Sequence, residues 1–393
     1  MRGLTLVALL VGVASASEPN IVGMGARSPG LAGTGAADST GFEAAYTNPA
    51  GLAVSNQRQV NVGYVIGRYG LDLDDKPRKV DGTEGMVLGA NVPLPFGGFL
   101  KDRVGIGLGF YLPRTLIARA RAPFPDETRL ALLETQTQTV SLTVAVGIKL
   151  HRRLYAGVGA LALAGLAGQI TIRSDAGGRI TSLSEQQLVT GFAPTAGVRF
   201  VVHPWLTLGA SLVGESKATY DIRVTTMLSG QLPIDLPPLQ FKGVAQYDPL
   251  KLSVEGSFVP LPWIRVNAGF TFKNWARFPR PIENATPGAP MQPEPGFHDT
   301  VVPRLAIELT ALTKSLRIDG RLGYFFEWSP APEGAGRVLL DANRHAITMG
   351  LGLSLQRWVG LHLDLFGQFH QLQGSPRAGG RFGFFGFAMG IDL

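Results

Sequence analysis

From about residue 58 to the C-terminus, apolar residues alternate with small or polar ones at a period of two, and few folds can accept that pattern for so long. Between 346 and 355 the odd positions Ile347, Met349, Leu351, Leu353 and Leu355 oppose Ala346, Thr348, Gly350, Gly352 and Ser354. Between 141 and 150, Leu142, Val144, Val146, Ile148 and Leu150 oppose Ser141, Thr143, Ala145, Gly147 and Lys149. Successive side chains of an extended strand point to opposite faces, so each stretch has one greasy and one small or wet face. The wet face carries charge: His362, Asp364, Gln368 and His370 alternate with Leu361, Leu363, Leu365 and Phe369, and Arg317, Asp319 and Arg321 with Leu316, Ile318 and Leu322. The charge-free run 154–172 is long enough for a spanning helix, but Gly157, Gly159, Gly165 and Gly168 and its strand-like neighbours make it a strand too.

Fourteen such segments are predicted: 58–74, 84–98, 102–121, 128–150, 153–173, 186–202, 205–226, 240–258, 262–278, 300–313, 316–329, 342–356, 358–372 and 379–393. Tight turns are expected at Leu100–Lys101, His151–Arg152, His203–Pro204, Val259–Leu261, Lys314–Ser315 and Arg357, with longer links, such as 75–83, 279–299 and 330–341, at the other end. An even strand number, short turns at one end, long loops at the other and apolar-out, polar-in dyads describe a closed antiparallel barrel of the bacterial outer membrane. Hydrocarbon offers no hydrogen-bond partner, so a sheet can cross it only by closing on itself. A soluble sandwich would alternate similarly, but with strands of about five or six residues and a polar face rich in Lys, Glu and Asp. Trp205, Trp263 and Trp358 fall beside tight turns and Trp275 and Trp328 near long loops, the depths of two aromatic girdles, although parity turns only Trp328 toward lipid.

Composition narrows the function classes. The 393 residues include no Cys, which removes disulfides, thiolate metal sites and cysteine nucleophiles. The six histidines (His151, His203, His298, His345, His362, His370) are never three or four residues apart, so no helical metal pair is expected, and no cofactor is implied. The net charge of +7 is scattered rather than gathered into a stripe, which argues against nucleic acid. An enzyme is not expected: a barrel hydrolase needs Ser, His and a carboxylate on one face near the rim, and His362, Asp364 and His370 lack a matching serine in this reading. At the N-terminus, Arg2, the apolar stretch 4–13 and Ala14-Ser15-Ala16 read as a cleaved signal peptide over 1–16, leading to export. Residues 17–56 do not alternate and form a separate glycine-rich unit ahead of the barrel at 57–393.

That unit carries Gly25, Arg27, Gly30, Gly33 and Gly35 as G-x-R-x-x-G-x-x-G-x-G, followed by Asn48-Pro49-Ala50. It lacks the preceding strand of a dinucleotide fingerprint. It resembles the N-terminal hatch of the FadL family, outer-membrane transporters of long-chain fatty acids and aromatic hydrocarbons. A second similarity lies in Gly323-Tyr324, Ser329-Pro330 and Leu340-Asp341-Ala342-Asn343-Arg344, and the strand count is the family's own. The resemblance implies a fourteen-stranded transmembrane barrel with a lumenal hatch, acting as a monomer among outer-membrane lipid and lipopolysaccharide. It also implies passive uptake of a hydrophobic small molecule, with sideways release at a kink in the third strand. Pro113 is the candidate kink, with Asn48-Pro49-Ala50 as its gate, since proline removes a ladder donor; it could equally just end the paired region near the rim. Inward parity offers Arg265, Lys273, Arg304, Arg317 and Arg321 as cations for a substrate head group, with Phe325 and Phe384 on an apolar path. Glu255, Glu308, Asp319, Glu327 and Asp364 share that face, so most of these charges are expected to pair across the lumen. The loops at 174–185 and 226–239 look short for the family, and Leu393 replaces its terminal aromatic. The competing reading is a structural or assembly barrel with its hatch sealed.

Overall fold

The computed structural model describes residues 17–114, 127–133, 140–174, 180–228, 239–283, 293–334, 337–355 and 360–393. The expected signal peptide, the upper end of the expected third strand and Trp358 lie outside them. Among the described residues, fourteen antiparallel strands close a ring: Gln59–Leu73, Thr83–Pro93, Val104–Pro113, Ser141–Lys149, Leu154–Ser174, Ile180–His203, Leu206–Val213, Lys251–Leu261, Ile264–Lys273, Thr300–Leu312, Leu316–Glu327, Asn343–Leu355, Leu361–Gln373 and Ala378–Asp392. The first and fourteenth seal the seam over fifteen residue pairs, from Gln59↔Asp392 to Leu73↔Ala378. No strand edge is left there to seek another chain.

The alternation fixes which way each strand faces. Val60, Val62, Leu88, Val144, Leu208, Leu305, Leu351, Phe385 and Met389 point outward and are exposed, whereas Asn61, Thr143, Glu255, Glu308, Arg321 and Gln368 point inward and are buried. Such a greasy belt is stable against lipid and not against water. No helix among the described residues is long and apolar enough to cross a membrane, which leaves open a crossing by strands, as in a closed barrel. Inside the ring, residues 17–54 fold into short helical turns, among them Arg27–Gly30, Ala44–Thr47 and Pro49–Ala53, which are mostly buried.

Four departures from the expected boundaries shape the interior. Pro93 and Pro95 stop the second strand, so its link to the third is no tight turn but runs from 94 to 103 and contains the short turn Gly98–Leu100. Residues 127–133, expected as the start of the fourth strand, instead enter the upper lumen, where Arg129–Leu130 lies parallel to Leu339–Leu340. The expected seventh and eighth strands each break in mid-course, at Gly214-Glu215 and at Pro249-Leu250. Above the breaks, Ser216–Leu228 and Leu239–Asp248 form a hairpin of their own. Its first arm crosses the sixth strand at Gly191, where a Cβ would stand 2.7 Å from the Lys217 carbonyl oxygen, and then pairs in parallel with the fifth strand. Finally, Trp275 is no girdle residue. It is buried with Tyr247, Phe278 and Phe297 in a cluster that closes the upper lumen, whereas Trp205, Trp263 and Trp328 are exposed.

Candidate functional site

The hatch is built around one carboxylate. Glu43 accepts the backbone N–H groups of Ala26 (2.8 Å), Arg27 (2.9 Å) and Ser28 (2.9 Å), capping the turn that presents Arg27. Gly25 makes the approach possible: its φ is +92°, and a Cβ there would collide with the Glu43 side chain. Arg27 reaches the barrel wall as a fork, donating to both oxygens of Glu308 at 3.0 and 2.9 Å and to Asp38 at 2.7 Å. Arg265 also donates to Asp38 (2.9 Å), and Arg321 joins Glu308 (2.8 Å) to Asp364 (2.5 Å). The result is a chain of alternating charge, Arg265–Asp38–Arg27–Glu308–Arg321–Asp364, tying the hatch to the wall.

Above this chain lies a small cavity of about 80 Å³, lined by Tyr46, Lys251, Lys273, Arg304, Phe325 and Arg344 among others. Lys273 (2.5 Å) and Arg344 both bind the same carboxylate, Glu327. Glu255 is spent on the hatch, accepting from the Gly35 (2.8 Å) and Ala36 (2.7 Å) amides. Lys251 donates to the Tyr46 hydroxyl at 3.0 Å, and Arg304 donates to the Ala32 carbonyl with its guanidinium 4.8 Å from the Phe325 ring centre. Among the described residues, no carboxylate lies within 4.0 Å of Lys251 or of Arg304. The cavity therefore carries an excess of positive charge beside an aromatic wall. Asp248 acts on Lys251, and Glu327 and Glu255 act on Arg304, only from beyond ion-pair distance. A buried cation without a directly bonded anion is costly, so the site is suited to receive one.

Two further cavities continue from it. A constriction of about 30 Å³, with Ile21, Leu132, Leu133, Trp275 and Leu372 on its walls, shares Asn20, Lys273 and Arg344 with the first. It shares Asp341 and Ala342 with a groove of about 900 Å³ at the long-loop rim, which reaches the outward-facing Val301 and Trp328. Burial pushes the Asp341 carboxyl up to about 7, so that junction loses its proton only near neutrality. Below the hatch, a polar vestibule of about 600 Å³ is lined by Arg27, Asn61, Asn91, Arg317, Arg321 and His362 among others.

Of the residues singled out in the sequence, Lys273, Arg304 and Phe325 come together at the cationic cavity. Arg265 is held by Asp38, Arg317 (to Asp319, 2.9 Å) and Arg321 lie around the vestibule, and Phe384 packs in the wall beside Tyr69, His370 and Phe382. Lys251, on the same strand and face as Glu255, was not singled out, and Arg344 was in view only beside Asn343; neither stands out until its partners are known. Tyr46, Leu132 and Leu133 gave no signal, because they arrive on inserted segments. His362 does have a matching serine: the register sets Ser354 directly opposite it, a correction to the sequence reading.

The expected gate is also corrected. Asn48-Pro49-Ala50 does not pack beside Pro113: Asn48 donates to the Val198 carbonyl (3.0 Å), and the element sits against Gly147, Gly157 and Gly197 toward the short-turn ends of the fourth to sixth strands. Pro113 pairs with Gly85 of the second strand, but among the described residues the ladder from third to fourth strand runs no further than Tyr111↔Ser141.

No family model matches the sequence, and no curated protein matches it. Solved structures do share its fold. A FadL homologue from Pseudomonas aeruginosa superposes with a TM-score of 0.60 at 14% identity, covering 98% of this chain and 100% of that one. The Ralstonia pickettii toluene transporter TbuX (0.60, 13%, 95% and 99%) and the monoaromatic hydrocarbon channel CymD (0.60, 13%, 95% and 98%) do likewise. The chain has the FadL-type barrel fold, and two of these neighbours are a toluene transporter and a hydrocarbon channel.

Proposed function

We propose that this chain is a FadL-type transporter of the bacterial outer membrane, delivered there by a cleaved signal peptide and working as a monomer surrounded by lipid and lipopolysaccharide. It takes up amphipathic hydrophobic molecules passively, and its substrates carry an acidic head, as long-chain fatty acids do. The observation that carries this reading is the pair of cations, Lys251 and Arg304, facing an 80 Å³ cavity with no carboxylate within 4.0 Å of either among the described residues. That volume suits a head group and is far below the roughly 300–1,000 Å³ of a site for a whole drug-sized ligand. The tail needs apolar walls, which Ile21, Leu132, Leu133 and Trp275 supply toward the rim groove. A toluene-like hydrocarbon has no charge to set against these cations and would gain only the weaker attraction of a cation to a ring face. Release sideways between the third and fourth strands is supported by the stop of their pairing, among the described residues, at Tyr111↔Ser141, with Pro113 just above it.

The test is binding and uptake of oleate and of toluene by the wild type and by Arg304→Ala and Lys251→Ala. A hydrogen bond to a charged group contributes about 1.5–3 kcal/mol, so each variant should weaken oleate binding by about tenfold or more and toluene binding by far less. Equal losses for both ligands, or none for oleate, would reject the acidic-head reading. Unaltered uptake of both by cells lacking the protein would favour a structural barrel.

A further inference from the structure

The vestibule below the hatch holds an arrangement that transport does not use. Ser354 and His362 are opposite one another on the twelfth and thirteenth strands, and the Ser354 hydroxyl lies 3.0 Å from His362 Nδ1. His362 Nε2 lies 2.7 Å from Asp392 Oδ2, and the other Asp392 oxygen accepts from Gln59 Nε2 at 3.3 Å. Gly360 leaves the space for that carboxylate, since a Cβ there would stand 2.5 Å from it. An ionised carboxylate only accepts, so Nε2 carries the ring proton. In the neutral ring Nδ1 then offers its lone pair, and the hydrogen bond to it must come from the Ser354 O–H. This is a nucleophile hydrogen-bonded to a base that is oriented by an acid. The ring is used the other way round from the familiar serine hydrolases, where Nε2 faces the serine. All three groups line the same 600 Å³ space.

A bond chain that merely fastened the barrel seam would need no serine, because the thirteenth and fourteenth strands are already joined by a ladder from Leu361↔Ile391 to Leu372↔Gly380. An electrophile stabiliser is also at hand. Arg317 is the neighbour of Ser354 on the opposite side, in the eleventh strand, and lines the same space. Its Nε is held by Asp319 (2.9 Å) and its Nη2 by Thr310 (3.4 Å), which leaves Nη1 without a partner among the described residues.

We propose that Ser354, His362 and Asp392 form a hydrolytic site for short-chain carboxylic esters at the short-turn mouth of the barrel. The Ser354 oxygen attacks the ester carbonyl carbon as its proton passes to His362 Nδ1, and Arg317 faces the oxygen that gains the charge. Collapse breaks the bond to the alkoxy group, which leaves as the alcohol with the proton from His362. Water then attacks the acyl-serine, giving its proton to the same nitrogen, and the carboxylic acid departs as Ser354 is reprotonated. No other reactant is required. The polar lining, with Phe42 and Leu355 as its main apolar patches, suits a small or polar acyl group rather than a long chain. This activity does not depend on the transport reading.

The full-length chain folded in detergent micelles is given p-nitrophenyl acetate and butyrate, and separately a fluorophosphonate probe followed by peptide mapping. The expected result is a label on Ser354, with ester hydrolysis reduced at least tenfold in both Ser354→Ala and His362→Gln while the heat-modifiable mobility of the folded barrel is retained. Absence of label from Ser354 in the wild type, or hydrolysis equal in Ser354→Ala and wild type, overturns the proposal and leaves the three groups as a structural hydrogen-bond chain. Should a variant fail to show the folded band, the mapping on the wild type decides alone.

Discussion

The two halves of the barrel wall hold the same hatch by opposite means. From the second to the seventh strand the hatch meets glycine: Gly89 receives Phe42, Gly105 and Gly107 receive Leu52, Gly147 and Gly157 receive Pro49, Gly197 receives Asn48, and Gly209 receives the Ala36 carbonyl. From the eighth to the thirteenth strand it meets polar and charged side chains: Glu255, Arg265, Arg304 with Glu308, Thr348 and Gln368. On the glycine arc, hatch backbone and side chains press onto bare wall backbone, and what holds the hatch is the absence of side chains on the wall. On the charged arc, contact depends on each group finding its counter-charge. A plug built this way has a close-packed side that tolerates no added volume, and a side that tolerates no unpaired charge. The cationic cavity lies on the second side, where Lys251 and Arg304 make the exception.

The largest test of this contrast is Glu327→Ala, which strands Lys273 and Arg344 together. Removing one partner of a buried ion pair costs about 3–5 kcal/mol, so the urea midpoint of the folded barrel in detergent should fall sharply. A small loss would mean that water reaches those cations and the arc is less dry than its geometry implies. On the glycine arc, Gly157→Val drives a side chain into the Pro49–Ala50 backbone, where even a Cβ would stand 2.6 Å from the Ala50 nitrogen. Overpacking costs about 1–3 kcal/mol, and the strain should fall on the hatch alone. Limited proteolysis should then cut within 17–56 while the barrel still shows its folded mobility. Equal protection of the variant and wild-type hatch would show that this arc can yield.

A smaller, pH-dependent effect is expected at the upper junction of the charged arc. Asp341 is half-buried and its carboxyl is raised to about 7 by burial. A carboxyl raised in the folded state favours the protonated form. Its contribution is therefore most favourable below about 4, the unfolded value, and is lost as pH rises through about 7. Protection of the 127–133 and 339–342 segments in hydrogen exchange should weaken from about pH 4 to about pH 7 and then level off, and Asp341→Asn should flatten that dependence. The smallest effect belongs to the exposed rim pair of Arg377 and Asp74 (2.6 Å), where Asp74→Asn should leave the unfolding midpoint unchanged within error, because solvent screens such pairs.

Much of this was legible from the residues alone. Outward Val144 or Leu351 and inward Thr143 or Asp319 follow from parity, and the charges that share a face do pair, Arg317 with Asp319 and Lys273 with Glu327. The breaks at Gly214-Glu215 and Pro249-Leu250 were missed because alternation runs through them almost undisturbed. The inward turn of 127–133 was missed because a greasy segment reads the same whether it faces lipid or fills a lumen. Trp275 was misplaced for the same reason: depth along the axis can be counted, but inside and outside cannot be told apart once a strand has ended.

The sequence by itself therefore settled a closed ring of strands with a lipid-compatible exterior, a charged interior and a glycine-rich segment ahead of it, because a two-residue period is a local property that each strand carries alone. Which charges would neutralise one another, which two would be left over, and which serine would lie beside His362 were decided only in three dimensions. Those relations depend on register and on how the hatch fills the lumen, and they join groups as distant along the chain as Arg27 and Glu308.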